Sequence, residues 1–357
     1  MLRAAAAHGL PGITAPQGQG RAVGADAVAI AANLRIEGLL WSALEAGVLT
    51  AADDTRETAR ESFVRAATRS LQVEGLAAHA IGALDAAGIE VRALKGIAIA
   101  NLDHVDPSER SFADADLLVR RCDHRRAVDA LAAAGLTRAE PPVREWWERR
   151  YGKAFVVLSP GGGEVDVHLA IAGGYFGVRI DHDHLWSHPS EPFDLSGREV
   201  RALDAEGRWL QACCHAVLGG GSGLRALRDV AQIALVTGVD WGAVVERCVA
   251  SGVDAVPAAA VRATWTELEL DPVHPLAVWA SSHRADPDQM AALASYQTEA
   301  GWLAEARSMA SALGPFDRAL FLAGLAVPSR ASRRSRRRSL VGHLRRGLTG
   351  VRGAAGQ

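Results

Sequence analysis

The chain has 357 residues, 49% hydrophobic and 22% charged, a balance that excludes disordered, fibrous and membrane-embedded classes and suffices for one large core or two smaller ones. Its net charge of −2 averages two unlike parts, since residues 329–357 carry nine arginines and no acid, which leaves −11 on residues 1–328. That acidic body argues against whole-surface nucleic-acid binding and confines any polyanion contact to the C-terminal Arg tail.

Residues 1–25, rich in Gly, Ala, Pro and Gln and without periodicity, read as a flexible arm. Residues 26–87 repeat apolar positions at helical spacing (Ile30, Leu34, Leu39, Leu40, then Phe63, Leu71, Leu76) and predict an N-terminal region of two or three helices, Asp53 and Asp54 capping the second. At Gly88 the texture changes. Residues 89–94 read as a short strand, 95–102 as a turn into a helix, 113–119 as a second strand, and 123–135 as a helix closed by glycine. Residues 154–158 and 165–169 read as two strands joined by a tight Gly-rich turn at 159–163. The order predicts an α+β class, a mixed sheet with helices on one side over 88–190. A C-terminal helical domain follows over 191–328, broken at Gly219 to Gly223, Gly238, Pro257 and Pro272, and then a basic, disordered tail over 329–357. The four cysteines lack CxxC pairing and no window reaches the roughly 18 apolar residues of a membrane span, so a reduced, cytoplasmic chain without membrane insertion is expected.

Three segments carry chemistry. In Ser111-Phe112-Ala113-Asp114-Ala115-Asp116-Leu117-Leu118-Val119 a strand would turn Asp114 and Asp116 to one face. Paired carboxylates repel unless a cation lies between them, and Mg²⁺ takes such ligands together with phosphates. A lone Asp-x-Asp is more often a solvated strand end, so the second segment matters. In Glu164-Val165-Asp166-Val167-His168-Leu169, Asp166 and His168 share a face, and on a neighbouring strand Asp166 would add a third acid. Three such acids can hold two Mg²⁺ ions about 4 Å apart for phosphoryl or nucleotidyl transfer. The alternative is the exposed polar face of a hairpin. Third, Leu94-Lys95-Gly96 ends a strand at a helix start, where backbone N–H groups attract anions, Gly96 admits a phosphate and Lys95 adds a point charge. Lys95 and Lys153 are the only lysines beside 37 arginines.

Leu94-Lys95-Gly96, Arg110 before Asp114-Ala115-Asp116-Leu117-Leu118-Val119, and Val165-Asp166-Val167-His168 together resemble the uncharacterised nucleotidyltransferase-like family of bacteria, across roughly residues 30–320. That family is similar in fold to the polymerase-β-like nucleotidyltransferases. The resemblance implies transfer of a nucleoside monophosphate from an NTP, ATP being the expected donor, to a hydroxyl or phosphate of a small molecule or peptide, with pyrophosphate released. It implies two Mg²⁺ ions on Asp114, Asp116 and Asp166, with Asp166 activating the acceptor, and Lys95, Gly96, Arg110 and His168 at the nucleotide. Some members accompany peptide natural-product biosynthesis, including that of lasso peptides, so a peptide acceptor is one expectation. The Gly-Ser usual in the wider superfamily's phosphate turn is here Lys95-Gly96, without the hydroxyl. The alternative reading is a non-catalytic nucleotide- or peptide-binding accessory protein of the same fold.

Other conspicuous residues read as structural. His182, Asp183, His184 and His188 suggest a polar loop rather than zinc, lacking a second ligand pair at structural-zinc spacing. Cys213 and Cys214 lie in an apolar helix and read as core. His215 and Asp229 either line an interdomain cleft or pair polar atoms between helices. Trp146 and Trp147 point to different faces of a helix, where packing is commoner than base stacking.

Overall fold

The computed structural model describes residues 1–13, 22–140, 144–219, 223–298 and 301–326. The arginine-rich tail and residues 220–222 of the expected glycine-rich break lie outside these residues.

The chain starts with a helix where an arm was expected. α1 (Leu2–Ala7) buries Ala4 to Ala7 completely or nearly so, because methyl side chains let a short helix approach its neighbours closely, and Arg228 donates to the carbonyl of Ala6 at 2.8 Å. β1 (Ala22–Val23) pairs in parallel with β2 (Thr50–Ala51). Between them lie α2 (Ala25–Leu34) and α3 (Glu37–Glu45), followed by the 34-residue α4 (Asp53–Ala86). Ala52 caps α4, and Asp53 and Asp54 sit in its first turn, where carboxylates favour the helix dipole.

The sheet is built as the alternation predicts. It comprises β3 (Val91–Leu94), β4 (Ala115–Val119), β5 (Thr137–Arg138), β6 (Ala154–Leu158), β7 (Glu164–His168), β8 (Glu191–Leu195) and β9 (Arg198–Ala202), in the order β5-β6-β7-β4-β3-β9-β8. The β8–β9 hairpin lies in the stretch for which the sequence predicts only the helical domain, and it belongs to the sheet instead. Its exposed positions alternate with few apolar ones, yet β9 pairs with β3 and carries the sheet past residue 190 to Ala202. One face, with Ala93, Ala115, Leu117, Val165 and Val167, packs on Val73, Ala77, Ile81 and Leu84 of α4 and on α5 (Lys95–Asp103) and α6 (His124–Ala133). From the opposite face Leu94 and Leu118 join the core of the C-terminal helices, so both faces are covered in part.

After α7 (Glu145–Tyr151), α8 (Gly174–Arg179) and α9 (His182–Ser187), the second core forms around α10 (Ala205–Leu218), α11 (Leu224–Gln232), α12 (Trp241–Ser251) and α13 (Ala255–Glu267). Pro257, expected as a break, lies in the first turn of α13, where the missing N–H has no intrahelical partner to lose. α14 (Pro275–Ser282), α15 (Pro287–Thr298), α16 (Gly301–Ala312) and α17 (Pro315–Ala326) complete the described chain. None of its helices is long and apolar enough to cross a membrane.

Two buried ion pairs tie the layers. Arg208 on α10 grips Asp103 at the end of α5 at 2.9 and 3.0 Å, and Arg110 grips Asp229 on α11 at 2.7 and 2.8 Å. Each pair is bidentate and almost fully buried, so loss of one partner would strand a charge in the interior.

Candidate active site

Register brings the acids together. β4 and β7 run parallel with Asp116 opposite Asp166 and Leu118 opposite His168, while β3 runs antiparallel to β4 with Leu94 opposite Asp116. The chain leaves β3 directly into α5, so Lys95 stands at the strand end beside Asp116. One carboxylate oxygen of Asp116 collects two neighbours. Lys95 Nζ donates to it, and His168 Nε2 lies 2.7 Å away; the ammonium is 3.4 Å from the same imidazole nitrogen. Burial would raise the pKa of Asp116, but the His168 hydrogen bond and the Lys95 charge outweigh it and hold the carboxyl well below the usual range. Asp166 is pushed the other way, by burial and by the negative charges of Asp116 and Asp114, with His168 and Lys95 opposing. Burial, and then the Lys95 charge, lower the pKa of His168, and its Nδ1 is buried without a partner.

Lys95 is strained into place. Its φ of 46° lies in the left-handed region that a β-carbon disfavours, and its N–H donates to Gln211 Oε1 on α10 at 3.1 Å. The neighbouring His215 on α10 is held down at about 4 by burial and then by the Lys95 charge.

Four expectations change. Asp114 does not share the strand with Asp116, because β4 begins at Ala115; its side chain is 42% exposed and lies 3.7 Å from Arg35. The residues whose donor atoms lie within 4.8 Å of one another are Asp116, Asp166 and His168. At Gly96 a Cβ would stand 2.6 Å from Cβ of Phe112, so the glycine admits that side chain. Arg110, 2% exposed, is committed to Asp229 and to the carbonyl of Ser111. His168, 1% exposed, orients Asp116 rather than facing a nucleotide. Asp229 thereby resolves to the structural alternative.

Arg225 was not anticipated. It opens α11 one turn before Asp229, and among the described arginines that are not exposed it alone makes neither a hydrogen bond nor an ion pair. Burial and the charge of Arg110 lower its pKa to about 10, and it feels Asp114 and Arg35. The only available sequence signal was its position four residues before an acid. Lys153 also gains a place: its carbonyl accepts from the N–H of Leu169 at 2.7 Å, next to His168, and its ammonium lies 3.8 Å from Glu305. It lines a cavity of about 440 Å³ with Trp147, Tyr151, Val156, Gly174 and Glu305.

The residues present suit a divalent cation: two carboxylates face each other across adjacent strands, and the raised pKa of Asp166 marks negative charge that a cation would relieve. A mixed sheet with this acid pair beside a lysine at a helix start defines an α+β protein of nucleotidyltransferase-like fold. Residues 25–264 match the model of an uncharacterised nucleotidyltransferase family, and the chain belongs to that family. Among solved structures it is similar to the antibiotic-resistance factor ANT(2'')-Ia, at 15% identity and a TM-score of 0.33 over 56% of this chain and 96% of that one. It is also similar to an antigenic nucleotidyltransferase-like protein from Paracoccidioides brasiliensis, at 18% identity and a TM-score of 0.30 over 46% of this chain and 74% of that one. No curated protein matches the chain.

Proposed function

We propose that the protein transfers a nucleoside monophosphate from an NTP, ATP first among the donors, to a hydroxyl or phosphate of a small molecule or peptide. The observation that carries this reading is the placement of Asp116 opposite Asp166 beside Lys95. In it, Asp116 and Asp166 hold Mg²⁺, and Asp114, on a half-exposed approach two residues earlier, turns from Arg35 to join them. The bound metal supplies neutralisation of charge on the phosphoryl oxygens. His168 fixes the rotamer of Asp116 through Nε2. Lys95 leaves Asp116 for a phosphate oxygen, and Arg225, half-buried and without a hydrogen bond or ion pair to a described residue, binds the triphosphate from the α11 side. Asp166, whose pKa is raised, receives the proton of the acceptor hydroxyl as its oxygen attacks the α-phosphorus and pyrophosphate departs. Positioning and charge compensation account for most of the rate in such a displacement. The cavity beside β6 suits the acceptor, because Val156, which lines it, is the register partner of Asp166.

Incubation with each α-labelled NTP, Mg²⁺ and candidate acceptors tests the reading. Label transfer by the wild type, lost in Asp116→Asn/Asp166→Asn, is expected; transfer that survives in the double variant would refute it. One observation favours the accessory reading, that Lys95 and His168 both engage the same Asp116 oxygen. Nucleotide binding without any pyrophosphate release would select that alternative.

A further inference from the structure

The histidines that read as a polar loop meet two acids from another element. Asp181 accepts the N–H of His184 at 3.0 Å and so starts α9, a six-residue helix whose C-cap is His188. Four residues apart, the two imidazoles fall on one side, with ring centroids separated by 4.0 Å. Facing them is the start of α10. Asp204 Oδ1 accepts the N–H of Gly207 at 2.8 Å, while its Oδ2 lies 3.0 Å from His188 Nδ1. Glu206 follows in the first turn; its Oε2 accepts from Arg247, and its Oε1 makes no hydrogen bond to a described residue. One donor atom from each of His188, Asp204 and Glu206 lies within 4.8 Å of the others. All four side chains line a cavity of about 200 Å³, shared with Cys248 and Leu210.

This is the donor set of a borderline cation rather than of Mg²⁺, which prefers oxygen alone. A carboxylate on Nδ1 of a histidine fixes the tautomer that leaves Nε2 as a lone pair, the arrangement found behind ligating imidazoles.

We propose that His188, Asp204 and Glu206 bind a zinc-class divalent cation, with the His184 imidazole stacked beside His188. The site is separate from the Asp116–Asp166 pair and joins α9 to α10. Since Gln211 on α10 receives the N–H of Lys95, the ion would brace the helix against which the Lys95 turn rests.

The test uses the full-length Asp116→Asn/Asp166→Asn protein, so that the sheet acids cannot hold the ion. Zinc retained after desalting is measured by mass spectrometry, and affinity by competition with a chromophoric chelator. About one zinc per chain is expected, with His188→Ala weakening binding by at least about tenfold. Glu206→Gln, which preserves size and hydrogen bonding, should weaken it as well, and Co²⁺ should give the visible absorption of a site with an imidazole ligand. No retained zinc, or affinity unchanged by loss of His188, would overturn the proposal.

Discussion

At the scale of single residues, burial and the charge of Lys95 set the titration of the histidines around the acid pair. His215 is the clearest case. Its folded pKa of about 4 lies below the ordinary histidine value of 6.5, so the unfolded chain takes up a proton before the folded one does. The stability it contributes is present above pH 6.5 and is lost as pH falls towards 4. Thermal denaturation across that window should be flatter in His215→Gln than in the wild type; parallel curves would contradict the buried, neutral imidazole. Asp166 has the opposite sign. Its raised pKa means that its ionised form is disfavoured in the fold, so Asp166→Asn should match or exceed the wild type in melting temperature in chelator, yet lose the stabilisation that Mg²⁺ gives the wild type. An equal Mg²⁺-induced shift in both proteins would remove Asp166 from the metal site.

At the scale of elements, strand pairing and helix junctions convert local patterns into the site. The acid pair was legible because the apolar run after Asp116 (Leu117-Leu118-Val119) marks a buried strand and the period-two alternation in Val165-Asp166-Val167-His168 states both strand and face. What alternation cannot state is where a strand begins, and Asp114 fell one residue outside it. The packing roles of Gly96 and Arg110 were not legible for a different reason. Glycine and arginine serve phosphate and packing equally well, and the deciding partners, Phe112 and Asp229, are fixed by tertiary structure; Asp229 is 119 residues from Arg110. Arg110→Ala should therefore cost about 3–5 kcal/mol in chemical denaturation by leaving Asp229 buried and unpaired, a loss that a surface phosphate ligand would not produce. Helix α10 gives a check on the second core. Burial pushes the Cys214 and Cys248 thiols up to about 12 and raises that of Cys213, whereas Cys122 is exposed. Native protein should react with one equivalent of a thiol reagent, and four only after denaturation; rapid reaction of more than one thiol would contradict the packing of α10 and α12.

At the scale of the whole molecule, two cores flank one sheet, and the reactive residues lie where they meet: Asp116 and Asp166 from the strands, Lys95 from the strand–helix junction, Gln211 and Arg225 from the C-terminal helices. The alternation in the middle of the chain made the sheet visible in the sequence. The β8–β9 hairpin was hidden because only Leu195 on β8 and only Val200 and Ala202 on β9 are buried, and α1 because a run of alanines lacks an amphipathic pattern. Net charge was equally uninformative, since the charges that matter are internal pairs. The most direct test of nucleotidyl transfer is Mg²⁺-dependent pyrophosphate release from ATP in the presence of an acceptor, comparing the wild type with Asp116→Asn/Asp166→Asn. The account predicts release by the wild type that chelator abolishes and a drop of at least about a hundredfold in the double variant; release of equal rate from both proteins would contradict it.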